Sequence, residues 1–145
     1  MILLDTNIVS EVSKRHPNAG VIAWLDAQAA MSLFLCAPVL AELHYGVERL
    51  PPGSRQQRLR GWVERLENDF YLGRILPLDA AAAVEFGRLA VKRERLGRRL
   101  EPMDALIAAV AIANRMALAT RDADDFAGLG FDVINPFEYA PPSLT

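Results

Sequence analysis

The sequence predicts an α/β fold, a single three-layer domain in which a short, mostly parallel sheet of four or five strands is flanked by helices. Short apolar segments alternate with longer segments of helical periodicity, and this order requires crossover connections between parallel strands. The apolar segments show no polar alternation, as expected when helices cover both faces of a sheet. The length of 145 residues, without a repeat or a linker, indicates one domain over 1–145.

The first half of the chain is divided by prolines and glycines. A proline at 38 is favourable in the first turn of a helix because its missing N–H is not needed there. The run Pro-Pro-Gly at 51–53 then ends that helix. The predicted elements are a strand at 2–4, helices at 7–14 and 20–30, a strand at 32–36 and a helix at 38–50.

The second half repeats the alternation of helices and strands. Residues 103–115 are apolar nearly all round, which predicts a buried helix. A proline follows the third strand, and Asn135-Pro136 closes the fifth. The predicted elements are a helix at 54–71, a strand at 74–76, helices at 79–96 and 103–115, and strands at 117–119 and 132–134.

The composition narrows the classes of function. Hydrophobic residues make up 52% of the chain, so disorder is excluded, and a net charge of −2 excludes a uniformly basic surface for nucleic acid. The single cysteine, Cys36, lies in the apolar run LFLCAPV and is expected to be a small buried side chain. We see no signal peptide, and the apolar run ALIAAVAIA is too short to span a bilayer, so we expect a cytoplasmic protein without membrane contact.

The opening MILLDTN places a carboxylate, a hydroxyl and an amide directly after the first strand. One interpretation is a helix cap, because Asp, Thr and Asn accept hydrogen bonds from free N–H groups at a helix start. The other is a site at the carboxyl end of a central strand, where open α/β sheets place their ligands. This segment alone leaves both interpretations open.

Three further carboxylates are expected at the same edge of the sheet as Asp5. Asp122 follows the fourth strand, Asp104 lies in the first turn of the buried helix, and Glu42 lies about one turn into its helix. Because each returning helix starts at the edge where the parallel strands end, these side chains should converge.

Each of these residues also has a purely structural explanation. Asp104 could favour a helix dipole, and Asp122 could cap the short turn before Phe126. Glu42 is harder to explain in this way, because it borders the apolar stripe of its helix on the side of Gly46, whereas Glu48 points away.

The mutual repulsion of four carboxylates at one edge of the sheet requires a compensating positive charge. One pair of like charges 4 Å apart costs about 4 kcal/mol at an effective dielectric of 20. These motifs offer no lysine, whereas a divalent cation would compensate, and hard oxygen ligands suit Mg²⁺ or Mn²⁺. Zinc is disfavoured, because the cysteine lies in an apolar run and His16 and His44 lie outside the cluster.

The order and spacing of these motifs resemble those of the PIN-domain ribonucleases, in particular VapC-type toxins of toxin–antitoxin pairs and their FitB-like branch. The motifs are Asp5-Thr6-Asn7, Glu42, Asp104 and Thr120-Arg121-Asp122, and the ending GFDVINPF is similar as well. The match covers essentially the whole chain. The resemblance implies an endoribonuclease dependent on Mg²⁺ or Mn²⁺, inhibited by a cognate antitoxin, and forming a homodimer and possible hetero-oligomers with that antitoxin.

The resemblance also implies roles for individual residues. Many relatives read Thr-Arg-Asn-x-x-Asp-Phe where this chain has Thr-Arg-Asp-Ala-Asp-Asp-Phe at 120–126, so the fourth carboxylate is either Asp122 or Asp125. We favour Asp122, which lies closer to the strand end. The implied metal ligands are Asp5, Glu42, Asp104 and Asp122, with support from Thr6, Asn7, Thr120 and Asp125.

An RNA substrate would also need basic residues beside the acidic edge. The run KRERLGRR at 92–99 precedes Asp104, so its last part, with Arg95, Arg98 and Arg99, is the candidate for RNA binding; a solvated helix face is the alternative.

Several other interpretations compete. The aromatic residues Trp24, Trp62 and Tyr71 could serve an interface or pack in the core.

The rival function on the same fold is a non-catalytic module that binds RNA or protein. A receiver domain lacks its late lysine here, and a dehalogenase-type phosphatase lacks the second aspartate, since Asn7 stands two residues after Asp5.

Overall fold

The computed structural model describes residues 1–143, and its centre is a five-stranded sheet in which every strand pairs in parallel. The strand order is β3-β2-β1-β4-β5, so the first strand of the chain is the central one. In the register, Leu3 lies opposite Phe34 on one side and Leu118 on the other. The strands are β1 (Ile2–Leu4), β2 (Leu33–Cys36), β3 (Ile75–Leu76), β4 (Ala117–Ala119) and β5 (Val133–Ile134).

Helices on both faces of this sheet complete the three-layer α/β architecture that the sequence predicts. They are α1 (Thr6–Val12), α2 (Ala19–Asp26), α3 (Ala37–Glu48), α4 (Ser54–Arg65), α5 (Ala80–Arg95) and α6 (Pro102–Ala113). Within residues 1–143, none of the helices has the length and apolar character that a membrane crossing needs.

Several predicted helices end differently in the structure. The helix predicted at 54–71 is α4 followed by a π-helical turn, Leu66–Phe70, and the helix predicted at 20–30 ends at Asp26. The helix predicted at 103–115 stops two residues early because Arg115 has a φ of 55°, in the left-handed region. That turn lets the N–H of Met116 bond the carbonyl oxygen of Ala111 at 2.9 Å, which satisfies an end carbonyl of α6.

The core packs around the sheet and includes buried residues of α1, α2, α3, α4 and α6. The α6 residues from Ile107 to Ala111 are fully buried, as its apolar sequence predicts, and Cys36 is fully buried at the end of β2. Burial raises the pKa of the Cys36 thiol to about 12, so it acts as a small apolar side chain and not as a nucleophile. The carboxyl ends of all five strands therefore meet at one edge, above a rigid core.

Candidate active site

Asp5 is the first residue after the central strand, where it extends the strand pairing and caps α1. Its backbone N–H bonds the carbonyl oxygen of Ala119 at 2.9 Å, which extends the pairing of β1 with β4. Its side chain caps α1, because Oδ1 accepts a 2.7 Å hydrogen bond from the N–H of Thr6. Only 4% of Asp5 is exposed, so this carboxylate is held deep at the sheet edge.

The second oxygen of Asp5 is bound by the neighbouring strand end. The Oγ1 of Thr120, which is fully buried, donates to Oδ2 of Asp5 at 2.7 Å. Burial raises the pKa of Asp5, the hydrogen bonds from Thr120 and Thr6 lower it, and the charges of Glu42 and Asp122 raise it again, leaving it above its ordinary value. The hydrogen bonds from Thr120 and Thr6 therefore offset only part of the cost of burying the ionised form of Asp5.

Glu42 approaches the same edge from α3. The hydroxyl of Thr6 donates to Oε1 of Glu42 at 2.6 Å, so Thr6 bonds a site carboxylate as a supporting hydroxyl should. Glu48, one and a half turns further along α3, is exposed and pairs with Arg60 at 2.9 Å. The contrast expected from the helical wheel is present: Glu42 is half-buried and faces the strand ends, and Glu48 faces solvent.

Asp104 lies in the first turn of α6, partly buried. The residue at the N-cap of α6 is Glu101, and it makes no side-chain capping bond. The pKa of Asp104 is raised to about 6, first by burial and then by the charges of Asp5, Glu42, Asp122 and Asp125. The charges of the other three predicted carboxylates thus act on Asp104 from the same edge of the sheet, as the sequence predicts.

Asn7 holds this edge together from α1. Its Nδ2 lies 3.4 Å from Oδ2 of Asp5, 3.4 Å from Oγ1 of Thr120 and 3.3 Å from Oδ2 of Asp122. Its Oδ1 accepts a 3.1 Å bond from the backbone N–H of Arg121. One amide thus connects the start of α1 to the segment after β4, and this explains why an amide follows Asp5 and Thr6 in the sequence.

The two candidates for the fourth carboxylate have different surroundings. Asp122 forms no side-chain cap on the turn at Ala123–Phe126, accepts from Asn7, and donates its backbone N–H to Oγ1 of Thr120 at 3.1 Å. Asp125 is half-exposed and pairs with Nη2 of Arg98 at 3.1 Å. Asp122 therefore belongs to the hydrogen-bond network around Asp5, and Asp125 lies at the rim with its charge balanced.

Of the three predicted basic residues, one contacts Asp125. Arg98 reaches the rim through its ion pair with Asp125, whereas Nε of Arg99 lies 3.6 Å from Oε1 of Glu94, and Arg95 is exposed at the end of α5. Sequence reasoning missed a second cationic group, formed by Arg121 with Glu11 and Phe137. The only signal for it in the sequence is the spacing of four residues between Asn7 and Glu11, which places both on one face of α1.

The donor set fits a hard divalent cation. All candidate ligands are oxygens, and within residues 1–143 no Lys or Arg is paired with Asp5, Glu42, Asp104 or Asp122. Within the same residues, no three His, Cys, Asp or Glu side chains are close enough together to bind one metal ion as they are placed. A bound cation would offset the mutual repulsion of these carboxylates.

A separate apolar groove of about 340 Å³ runs between α1, α2 and the end of α4. Trp62 and Tyr71 line it, together with Phe70, which is 56% exposed. Trp24 is buried in the core instead, so of the three aromatic residues considered for an interface, only two lie on this surface. Large exposed apolar side chains around a groove are typical of a protein-binding surface.

Comparison with known proteins supports a common origin for this arrangement. The PIN-domain family model matches residues 2–132. Over 95% of this chain and 99% of the other, the sequence is 42% identical to the plasmid stability protein StbB of Pseudomonas syringae pv. tomato. It is 38% identical to the VapC ribonuclease Y4jK of Sinorhizobium fredii, over 97% and 100% of the two chains. It is 35% identical to the toxin FitB of Neisseria gonorrhoeae, over 94% and 99%.

Solved structures agree with the sequence relatives. A structure of FitAB bound to a DNA fragment is similar with a TM-score of 0.90 and 34% identity, covering 99% of this chain and all of the other. The crystal structure of FitAcB from Neisseria gonorrhoeae has a TM-score of 0.85 and 36% identity, covering 95% and 99%. A toxin–antitoxin complex from Klebsiella pneumoniae has a TM-score of 0.67 and 25% identity, covering 94% and 98%.

Proposed function

Because the chain belongs to the PIN-domain family, we propose that it is a metal-dependent endoribonuclease and the toxin of a VapBC-type toxin–antitoxin pair. The observation that carries the proposal is the convergence of Asp5, Glu42, Asp104 and Asp122 at the carboxyl edge of the sheet. A scaffold that only binds RNA or protein has no need for four neighbouring carboxylates without a paired cation.

In this proposal Asp5 and Asp104 hold the divalent cation, and Glu42 and Asp122 complete its shell or orient the attacking water. A bound Mg²⁺ or Mn²⁺ supplies Lewis acidity, lowering the pKa of water and stabilising charge on the phosphodiester oxygens. Thr120 and Thr6 fix the directions of two carboxylates through their 2.7 and 2.6 Å hydrogen bonds. Asn7 keeps Asp122 near Asp5. Asp125 is the alternative to Asp122, disfavoured by its pairing with Arg98.

The basic strip supports this assignment. The exposed residues Arg95, Arg98 and Arg99 lie at and just beyond the end of α5, and Arg98 reaches the turn that carries Asp125. A strip of this kind would attract RNA phosphates in a salt-dependent way.

RNA cleavage tests the proposal directly. Total RNA is incubated with the purified chain in Mg²⁺ or Mn²⁺, and separately in EDTA, and the new 5′ ends are mapped by sequencing so that a narrow cleavage site is also detected. We expect new ends only with metal, and none with Asp5→Asn. The matched control is Glu48→Gln, which removes an exposed carboxylate of α3 outside the site. Equal cleavage in EDTA would overturn the metal mechanism, whereas no new ends in any RNA would overturn the enzyme and favour the binding module.

The proposal includes a protein partner, an antitoxin, together with assembly as a homodimer in the cytoplasm. We assign the antitoxin to the apolar groove for two reasons. The proteins similar to this chain include one from a solved toxin–antitoxin complex, and the groove presents the exposed aromatic side chain of Phe70 to solvent.

The partner assignment has its own test. The chain is co-expressed with the small protein encoded by the adjacent gene, and the molar mass of the complex is measured by light scattering. Phe70→Glu should weaken it, whereas Leu72→Glu should not, because Leu72 is 69% exposed and lies outside the groove. Equal effects of both substitutions on the complex would place the partner elsewhere. Light scattering of the chain without its partner tests the homodimer, because it gives the mass of the assembly.

A further inference from the structure

Arg121 stands between Thr120 and Asp122, and two side chains of α1 hold it. Oδ1 of Asn7 accepts from the backbone N–H of Arg121 at 3.1 Å, and Oε2 of Glu11 lies 3.5 Å from its Nη2. Asn7 and Glu11 are one helical turn apart, so α1 fixes both the backbone and the guanidinium of Arg121.

Aromatic contact fixes the guanidinium from a third direction. Its central carbon lies 4.1 Å from the ring centroid of Phe137, a cation–π geometry. Phe137 belongs to the 3₁₀ turn Pro136–Glu138, which packs against α2. In spite of these contacts, 48% of the Arg121 side chain is exposed. The guanidinium is therefore oriented and yet accessible.

The charge balance leaves this group cationic. Glu11 is buried, with 6% of its side chain exposed, and it also forms a 2.6 Å ion pair with Lys14 and accepts from the N–H of Asn18 at 2.9 Å. One carboxylate thus serves two cations, and the trio of Lys14, Glu11 and Arg121 carries a net charge of +1. The bond from Arg121 to Glu11 is long, so most guanidinium donors stay free for a ligand.

We propose that Arg121 binds a backbone phosphate of the RNA adjacent to the one that is cleaved. The inference rests on the proposed function and specifies how its acidic site accepts a polyanion. Carboxylates repel a phosphodiester, and an oriented guanidinium directly beside Asp122 offsets that repulsion with a planar fork that matches phosphate oxygens. Arg98 is already paired with Asp125 at 3.1 Å, shorter than the 3.5 Å between Arg121 and Glu11, and is less available.

RNA affinity tests the proposal without relying on turnover. Binding of a labelled single-stranded RNA is measured in Mg²⁺ at several salt concentrations, in a cleavage-deficient Asp104→Asn background. Arg121→Gln should weaken binding about three- to tenfold at low salt and reduce the slope of log affinity against log salt by about 0.7, as for one lost phosphate contact. Arg121→Lys should restore the slope and only part of the affinity, because a lysine keeps the charge and loses the fork.

Arg88→Gln is the matched control, because Arg88 also pairs with a glutamate, Glu85, at 2.8 Å, and is 71% exposed on α5. It should match the background in both affinity and slope. If Arg121→Gln fails to fold, Phe137→Leu replaces it, since loss of the stacking contact should weaken binding by a smaller factor at an unchanged salt slope.

The outcomes separate this inference from the proposed function. If the otherwise unmodified chain cleaves RNA with metal but Arg121→Gln binds with unchanged affinity and slope, the phosphate contact is wrong and the enzyme stands. If the unmodified chain neither binds nor cleaves RNA, the proposed function itself fails. In the unmodified background, Arg121→Gln should raise KM with little change in kcat, as for a contact equally strong in the ground and transition states.

Discussion

The Oγ1 of Thr120 donates a 2.7 Å hydrogen bond to Oδ2 of Asp5, joining the ends of two neighbouring strands from residues 115 positions apart in the chain. The same oxygen accepts from the backbone N–H of Asp122 at 3.1 Å. Asp5 and Thr120 are both buried, so this hydroxyl and the N–H of Thr6, which bonds Oδ1 at 2.7 Å, together fix the direction of the Asp5 carboxylate. The turn that carries Asp122 depends on the same hydroxyl.

Thr120→Val removes that hydroxyl with almost no change of volume. We expect a loss of about 1–3 kcal/mol in the free energy of unfolding at pH 7, because the buried Asp5 carboxylate and the Asp122 N–H lose their partner. Thr120→Ser is the control, since it keeps the hydroxyl and should lose only about 1 kcal/mol for one methyl group. Urea denaturation in EDTA measures both. A valine variant as stable as the serine variant would show that the hydroxyl does not support Asp5.

Asp104 should make the stability of the apo protein depend on pH. Its pKa is raised from 3.8 to about 6, so the native state holds a proton more tightly than the unfolded chain. Stability from this group is therefore present below pH 4 and is lost as pH rises toward 6. Asp104→Asn lacks this loss, and its stability relative to the unmodified chain should increase between pH 4 and 7.

The expected gain at pH 7 is roughly 0.5–2 kcal/mol, because solvent screens a partly exposed carboxylate. Thermal melts of Asp104→Asn and of the unmodified chain are compared at each of a series of pH values in EDTA. The difference between the two proteins isolates the titration of Asp104 from that of other groups. If the difference in stability between Asp104→Asn and the unmodified chain stays constant with pH, Asp104 does not belong to the acidic cluster. The same conclusion follows if the variant is less stable at pH 7 by a few tenths to 1 kcal/mol, the effect of losing a helix-dipole contact.

Replacing Gly20 with a larger residue should destabilise the fold. A Cβ there would lie 3.0 Å from the carbonyl oxygen of Tyr139 and 3.3 Å from that of Pro136, in the turn that carries Phe137. Gly20→Ala should cost about 1–2 kcal/mol through displacement of that turn. Gly87→Ala, where nothing lies within 4 Å of the new Cβ, should instead stabilise α5 by about 0.5–1 kcal/mol. Equal effects of the two substitutions on the melting temperature would contradict this packing.

The acidic cluster was predictable from sequence because its members obey one topological rule. Parallel strands end, and their helices begin, at the same edge, so Asp5, Asp104 and Asp122 could be placed from the order of elements alone. Glu42 followed from its place beside the apolar stripe of α3. These inferences need only element boundaries accurate to within a turn, and the errors at Asp26 and Arg115 lie at helix ends away from this edge.

The cationic group around Arg121 could not be predicted in this way. Its position depends on a backbone N–H bonded to Asn7 and on the turn that brings Phe137 beside α2, both of which are set by tertiary packing. Periodicity contains no information on such contacts. The left-handed turn at Arg115 also escaped prediction, because it occurs at an arginine and not at a glycine, the usual residue for this conformation.

The most direct test of the central claim is the effect of a divalent cation on thermal stability. If Asp5, Glu42, Asp104 and Asp122 share one metal site, Mg²⁺ or Mn²⁺ should raise the melting temperature of the unmodified chain over its value in EDTA, with a gain of about 2.7 kcal/mol at a hundred times the dissociation constant. Asp104→Asn should begin more stable in EDTA and gain much less from the metal. A variant that is destabilised in EDTA, and that responds to the metal as the unmodified chain does, would contradict the shared site.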